Sequence, residues 1–384
     1  MTEFSLFMEI RRSVETLLKQ SLKPGKVNVL VGTRRVGKTH LIQKIGREVP
    51  YSLLVLEGED VQVQLLLAER SIANYQRILA GIELLVIDEA QAIPEIGKIL
   101  KLIVDHIPGI RVLVTGSSAF DLTQRSGEPL TGRSFYHYLY PIAQQELNAY
   151  ETPLQVLQYQ EERLLFGGYP ELFQLETPRE KERYLRELVQ AYLLKDILAY
   201  EGIRNTDKVK DLLRLIAFQA GKEVSMDELG KQLQLSKNTV EKYLDLLTKV
   251  FVLRKVGGFS RNLRKEVTKT SRWYFQDTGV RNAVVNDFRP LALRTDVGEL
   301  WETYLISERI KYLHYAQRQP EYFFWRTYDQ QEIDWLEYEN GRLSAFEFKW
   351  KTQRARVPKA FANAYPEATF ELITSANYLS FIGG

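Results

Sequence analysis

The chain has 384 residues, of which 45% are hydrophobic and 26% charged, with a formal net charge of +3 and no cysteine. That is a globular balance with room for two or three domains, and it excludes disulfides, thiolate metal sites and a disordered chain. No apolar run approaches the length of a bilayer span, and His40, His106, His137 and His314 are too scattered for zinc-ligand spacing.

The opening stretch MTEFSLFMEIRRSVETLLKQ mixes acidic, basic and apolar residues in helical rotation, which predicts an amphipathic helix and not a signal peptide. With the missing cysteines, this points to a cytoplasmic protein that engages no membrane. Residues 27–39, VNVLVGTRRVGKT, then read as an apolar strand, a glycine-rich turn and the start of a helix. Glycines there let backbone N–H groups curl around phosphate oxygens, and the helix N-terminus adds its positive dipole end. The spacing predicts an ATP cradle made of Gly32, Thr33, Arg34, Arg35, Val36, Gly37, Lys38, Thr39 and His40. Lys38 reaches the β- and γ-phosphates, and the Thr39 hydroxyl ligates Mg²⁺.

ELLVIDEAQ (83–91) is a near-continuous apolar run, as a buried parallel strand requires, and it ends in Asp88 and Glu89. Asp88 is placed to hold the Mg²⁺ water shell and Glu89 to polarise the attacking water. Gln91 suits either a γ-phosphate sensor or a simple helix start. IRVLVTGSS (110–118) predicts a further strand ending in Thr115, Ser117 and Ser118, which either position water or cap the next helix. Arg125 and Arg133 follow just before another strand. Arg133 is the favoured guanidinium for charge developing on the γ-phosphate, whereas Arg125 equally suits a carboxylate partner.

These motifs, with LTGR, LLFGGYPEL (164–172) and YLLKDIL (192–198), resemble AAA-like prokaryotic ATPases that join an AAA_14 domain to a DUF4143 region. The resemblance covers nearly the whole chain. It implies a parallel sheet with the sensor strand between the loop strand and the acidic strand. It also implies ATP hydrolysis with Glu89 as water activator, Thr115 as sensor and Arg133 near the arginine position that acts in trans. If Arg133 works in trans, a homo-oligomer (a ring or dimer) is required; if it works in cis on its own chain's γ-phosphate, a monomer suffices.

Residues 143–215 are helical by period, broken at FGGYPE, and predict a lid or linker. SMDELGKQLQLSKNTVEKYLDLLTKV (225–250) reads as helix, tight turn, helix, with Ser225 and Glu228 as a capping box and Ser236 starting the second helix. Eight basic residues and one acid between Lys249 and Arg272 suit a wing lying on phosphates, with a solvated loop as the competing reading. The second helix balances Lys237 and Lys242 with Glu241 and Asp245, so backbone contact of low specificity, or a purely structural, protein-docking winged helix, is expected over base reading.

From residue 296 the pattern runs helix, strand, strand, strand, helix, strand. Gly298 and Glu302 on the first helix, Asp334 on the second strand and Glu347-x-Lys349 on the third resemble the PD-(D/E)xK nuclease fold of restriction enzymes and junction resolvases. Period-two alternation puts Glu347 and Lys349 on one face, so Asp334 and Glu347 can share a metal ion while Lys349 orients water. Glu302 would complete the acidic shell; Glu332 shares a face with Asp334 and is an alternative ligand. Lys351, Arg354, Arg356 and Lys359 suit a DNA backbone.

The expected layout is therefore α/β throughout: an AAA-like P-loop domain at 1–142, a helical lid or linker at 143–215, a winged-helix-like segment at 216–290 and a nuclease-like domain at 291–384. ATP and Mg²⁺ are the expected cofactors. The competing functions are an ATP-driven conformational switch with a protein-binding tail and a DNA-binding regulator without cleavage.

Overall fold

The computed structural model describes residues 10–116, 130–193, 206–260, 271–327, 329–351 and 354–384, with the side chains of 191–193 excepted. Ser117, Ser118, Arg125, the tail of YLLKDIL and most of the basic stretch after Gly258 lie outside the described residues. The chain divides into two compact units: residues to Tyr140 with Lys249–Phe251, and Pro141–Thr248 with Val252–Gly384.

In the first unit, α1 (Val14–Ser21) leads into β1 (Val27–Val31), a strand of five buried residues, and α2 (Lys38–Glu48) follows the glycine loop. Then come β2 (Leu53–Glu57), α3 (Val61–Ala68), α4 (Ile72–Ile78), β3 (Leu84–Asp88), α5 (Ile96–His106), β4 (Arg111–Gly116) and β5 (Ser134–Tyr138). The sheet order is β2-β3-β4-β1-β5, and every pair in it is parallel. β4 thus lies between the loop strand and the acidic strand, as the resemblance implied. Parallel strands need crossovers that cover both faces, and β1, β3 and β4 are accordingly buried almost end to end. Val29, Leu85, Ile87, Val112 and Val114 join α5's Ile99, Leu100 and Ile103 in one core.

In the second unit, α6 (Pro153–Phe166), α7 (Pro178–Glu187) and α8 (Thr206–Phe218) precede β6 (Glu223–Val224). Next are α9 (Met226–Leu233), α10 (Lys237–Lys249), β7 (Leu253–Gly258), β8 (Ser271–Phe275), α11 (Thr278–Val285) and the long α12 (Val297–Tyr315). β9 (Glu321–Arg326), β10 (Glu332–Glu339), β11 (Arg342–Phe348), α13 (Lys359–Ala364), β12 (Thr369–Ile373) and α14 (Tyr378–Phe381) complete the unit. Ser225 caps α9 by accepting from the Glu228 N–H at 3.3 Å, and Ser236 caps α10 through Thr239 at 3.2 Å. Leu229, Leu233, Val240, Leu244 and Leu247 are all buried, giving each helix one apolar face.

Among the described residues, the strands of this unit form one sheet, ordered β12-β11-β10-β9-β7-β8-β6. β7 pairs in parallel with β9 through Gly257 and Gly258, so the ladder runs across residue 290, where sequence patterning had placed a domain boundary. The β10–β11 hairpin turns on Asn340 and Gly341, both at positive φ (50° and 79°), the conformation an Asn-Gly hairpin turn requires. α12 is fastened to β10 by Arg309, whose Nε and Nη2 donate to the two oxygens of buried Glu337 at 2.6 and 2.9 Å. Trp335 Nε1 donates to the same carboxylate at 2.9 Å.

The GGYP break is a packed joint. Gly168 N–H donates to Asp277 Oδ2 at 2.8 Å, while Asp277 Oδ1 caps α11 by accepting from Val280 N–H at 3.0 Å. A Cβ on Gly167 would stand 2.1 Å from Asp277 Oδ1, so this backbone approach admits glycine alone. The Gln144 N–H, on the segment that also meets Gly168, donates to Glu308 on α12 at 2.7 Å.

Candidate functional sites

The first site lies at the carboxyl ends of β1, β3 and β4. Parallel order brings these ends to one edge, where α2 presents its N-terminus. Gly37 has φ 95° and Arg35 φ 64°, so the loop curls where only a left-handed backbone turns its N–H groups inward. Gly32 packs under the Leu139 carbonyl, 2.1 Å from where a Cβ would sit. Lys38 is 5% exposed, and its ammonium donates to the Gly32 and Thr33 carbonyls at 2.9 and 3.1 Å.

Asp88 is the hub. Thr39 Oγ1 donates to Asp88 Oδ2 at 2.5 Å, and Thr115 Oγ1 donates to Asp88 Oδ1. The Glu89 N–H donates to Thr115 Oγ1 at 2.9 Å. Glu89 itself sits at φ 46°, an uncommon conformation for a non-glycine residue and one that turns its side chain out of the strand. Gln91 lies in the short 3-10 turn Ala90–Ala92 and donates its amide to the Glu89 carboxylate. Glu57, opposite Asp88 in the β2–β3 register, has its pKa raised by burial and by Asp88. Thr39, Asp88, Thr115 and Glu89 are therefore brought together, and the Thr39–Asp88 oxygen pair fits a hard divalent cation.

Arg133 stands elsewhere. Its carbonyl accepts from the Val27 N–H at 2.8 Å, at the opposite end of β1 from the loop, roughly 17 Å along the strand. Its guanidinium pairs with Asp105 at 2.6 Å. A role on the γ-phosphate of its own chain is corrected by this placement, because β5 runs parallel to β1 and begins at the wrong edge. Arg12 was missed by sequence reading: it donates to the Val36 carbonyl at 2.9 Å and to the Tyr140 carbonyl at 2.5 Å, clasping the back of the loop. No motif marks it, since both partners are backbone atoms far along the chain.

The second site lies where β10, β11, β8 and α12 meet. In the β10–β11 hairpin Trp335 stands opposite Phe346, and Asp334 and Glu347 are the next residues on the two strands. Asp334 is 7% exposed and Oδ2 accepts from the Phe348 N–H at 2.8 Å. Burial, followed by the Glu347 charge, pushes the Asp334 carboxyl up to about 7. Lys349 Nζ lies 2.7 Å from Glu347 Oε1, while Glu347 Oε2 is buried with no hydrogen-bond partner. Burial works against the Lys349 ammonium, yet Glu347, Asp334 and Glu332 together raise its pKa.

Glu302 faces this pair but is engaged by others. Oε1 accepts from Tyr274 OH at 2.6 Å and lies 3.7 Å from Arg272 Nη1, and burial with the Asp334 charge raises its pKa well above the ordinary range. Glu332 pairs with Arg272 Nη2 at 2.9 Å. Arg272, counted by sequence among wing residues for phosphates, is 4% exposed and points into the acids instead. Arg272 and Tyr274 alternate on one face of β8, a period-two signal hidden because nothing in the sequence pairs β8 with this end of the sheet. Among the described residues, no group of three His, Cys, Asp or Glu side chains is disposed to hold a metal ion. The orphaned Glu347 oxygen beside the buried Asp334 carboxyl nevertheless fits a cation held by two carboxylates and waters. Lys351, Arg354, Arg356 and Lys359 are all exposed beyond Lys349.

Residues 24–148 match the family model of the AAA domain, and residues 297–380 match that of a domain of unknown function, DUF4143. Between them, residues 157–291 match a second domain of unknown function, DUF8612. The chain thus has the AAA-plus-DUF4143 architecture its motifs resemble, and its N-terminal unit has the AAA-type P-loop ATPase fold, which implies nucleotide binding. An uncharacterized protein of Mycobacterium tuberculosis is 28% identical over 360 residues, covering 92% of this chain and 77% of that one. Another from Methanocaldococcus jannaschii is 24% identical over 277 residues, covering 65% and 60%. Among solved structures, a STAND-type signal-transduction ATPase with a tetratricopeptide repeat sensor from Pyrococcus horikoshii aligns at TM-score 0.31 and 15% identity. That alignment covers 82% of this chain, which spans about half (48%) of the other. Thermotoga maritima RuvB aligns at TM-score 0.27 and 17% identity, covering 63% of this chain and 85% of its own. No helix among the described residues is long and apolar enough to cross a membrane.

Proposed function

We propose that the chain hydrolyses ATP at the N-terminal site and engages a nucleic-acid backbone with the C-terminal unit, where it cleaves a phosphodiester. The convergence of Thr39, Thr115 and Glu89 on Asp88 carries the first half. Incoming phosphate oxygens replace the Gly32 and Thr33 carbonyls as partners of Lys38. Thr39 and Asp88 would hold Mg²⁺, Thr115 fixes the direction of Asp88 and Glu89, and Glu89 accepts the proton of the attacking water. Arg133 serves a neighbouring copy's γ-phosphate after leaving Asp105, so hydrolysis requires a homo-oligomer.

At the C-terminal site Asp334 and Glu347 would hold a divalent cation, and Lys349 orients the water. Mg²⁺ supplies charge neutralisation at the reacting phosphate in both centres. The exposed strip Lys351, Arg354, Arg356 and Lys359 and the helix-turn-helix, α9–α10, read as a winged helix, support backbone contact without base reading, because the exposed face of α10 balances its charges. A second reading, an ATP-driven switch whose nuclease-like unit is silent, is favoured by the in-chain partners of these acids, Lys349, Arg272 and Tyr274.

Plasmid nicking with Mg²⁺ and ATP decides between them. Cleavage lost in Lys349→Ala alone means a nuclease without obligatory coupling, and cleavage lost also in Lys38→Ala means an ATP-coupled one. Nicking by none of the proteins, with phosphate release intact, leaves the silent switch.

A further inference from the structure

We propose that the C-terminal centre takes a single divalent cation, on Asp334 and Glu347, and that Arg272 stands where a second would sit, between Glu302 and Glu332. The inference rests on the reading of Asp334 and Glu347 as cation ligands.

Charge is the first ground. Even with all four carboxylates (Glu302, Glu332, Asp334 and Glu347) ionised, the cationic side chains Arg272 and Lys349 leave a deficit of two at most, which one divalent cation closes. A second cation would leave the buried cluster with excess positive charge, which desolvation makes costly.

Position is the second. β8 is tied on both sides, Arg272 standing opposite Glu223 on β6 and Val256 on β7, so its side chain is delivered by the sheet and not by a loop. The guanidinium lies over the Phe324 ring at 4.4 Å, with one nitrogen 2.9 Å from Glu332 and another 3.7 Å from Glu302. A guanidinium cannot be deprotonated in a protein, so this charge is permanent. Glu302 is closed from its other sides. Tyr274 OH donates to Oε1 at 2.6 Å, and Gly221 backs Oε2 so closely that a Cβ there would meet it at 3.0 Å. Glu302 is therefore a positioning residue for Arg272 and Tyr274, and water activation falls to Lys349.

The test counts bound Mn²⁺ by electron paramagnetic resonance in nucleotide-free full-length protein. Thr39→Ala and Asp88→Asn are present throughout to remove the N-terminal ligands. The parent binds one Mn²⁺ per chain, Asp334→Asn none, Glu302→Gln still one, and Arg272→Met two. Two ions in the parent, none in Glu302→Gln, or no gain in a folded Arg272→Met protein overturns the single-cation assignment while leaving the Asp334–Glu347 site standing. Equal binding by the parent and Asp334→Asn, or none by the parent, sinks the site reading itself and the inference with it. Circular dichroism establishes folding of each variant; if Arg272→Met fails to fold, the parent and Glu302→Gln stoichiometries decide.

Discussion

Replacing Asp334 with asparagine should stabilise the cation-free protein at pH 8 and do almost nothing at pH 4. In the fold, the Asp334 carboxyl is pushed from its ordinary 3.8 up to about 7, first by burial and then by Glu347, with the Phe348 N–H, Lys349 and Arg272 offsetting part. A folded-state pKa above the unfolded one means that the native protein binds the proton more tightly. Stability from this group is thus fully present below the unfolded value and is lost as pH rises through about 7. Three units at 1.36 kcal/mol each make a loss on the order of 4 kcal/mol. Asparagine keeps an acceptor for the Phe348 N–H and removes the repulsion with Glu347. The assay is urea unfolding in EDTA at a series of pH values, followed by tryptophan fluorescence. Trp273, Trp301, Trp325, Trp335 and Trp350 all lie in the second unit, so the signal reports that unit alone. The stability difference should open between pH 4 and 8, and added Mn²⁺ should narrow it by stabilising the ionised wild type. A difference that stays flat across the range, or an asparagine variant less stable at pH 8, would refute the account of two crowded carboxylates.

Glu89→Gln should still bind ATP, seen as a nucleotide-dependent thermal shift, while phosphate release falls by about 10²–10⁴-fold, the usual size of a lost general base; Lys38→Ala should lose the shift as well. Arg133→Ala and Lys38→Ala proteins, each inactive alone, should regain phosphate release on mixing, since one supplies the guanidinium and the other the intact loop; no recovery would return Arg133 to a structural partner of Asp105. Glu337→Ala strands the Arg309 guanidinium that fastens α12 to β10 and should cost about 3–5 kcal/mol by the same fluorescence assay, the penalty of an uncompensated buried charge.

The parts that sequence alone determined are those whose geometry is local. A glycine loop between an apolar strand and a helix dictates its own curl, Asn340-Gly341 dictates a hairpin, and Ser225 and Ser236 start helices wherever the rest of the chain goes. Glu347 and Lys349 share a face because strand period is two. What tertiary structure decided are the partners supplied by other segments. Sheet order carried β7 onto β9 and turned Arg272 and Tyr274 toward Glu302, so a residue read as a phosphate contact became an internal counter-charge, and an expected ligand became its partner. The parallel run of β5 put Arg133 at the far edge, Arg12 found two carbonyls from distant positions, and the GGYP glycines met Asp277 more than a hundred residues later. Spacing encodes backbone geometry over a few residues, whereas which strands become neighbours is settled by burial of whole faces, and no local pattern records that outcome.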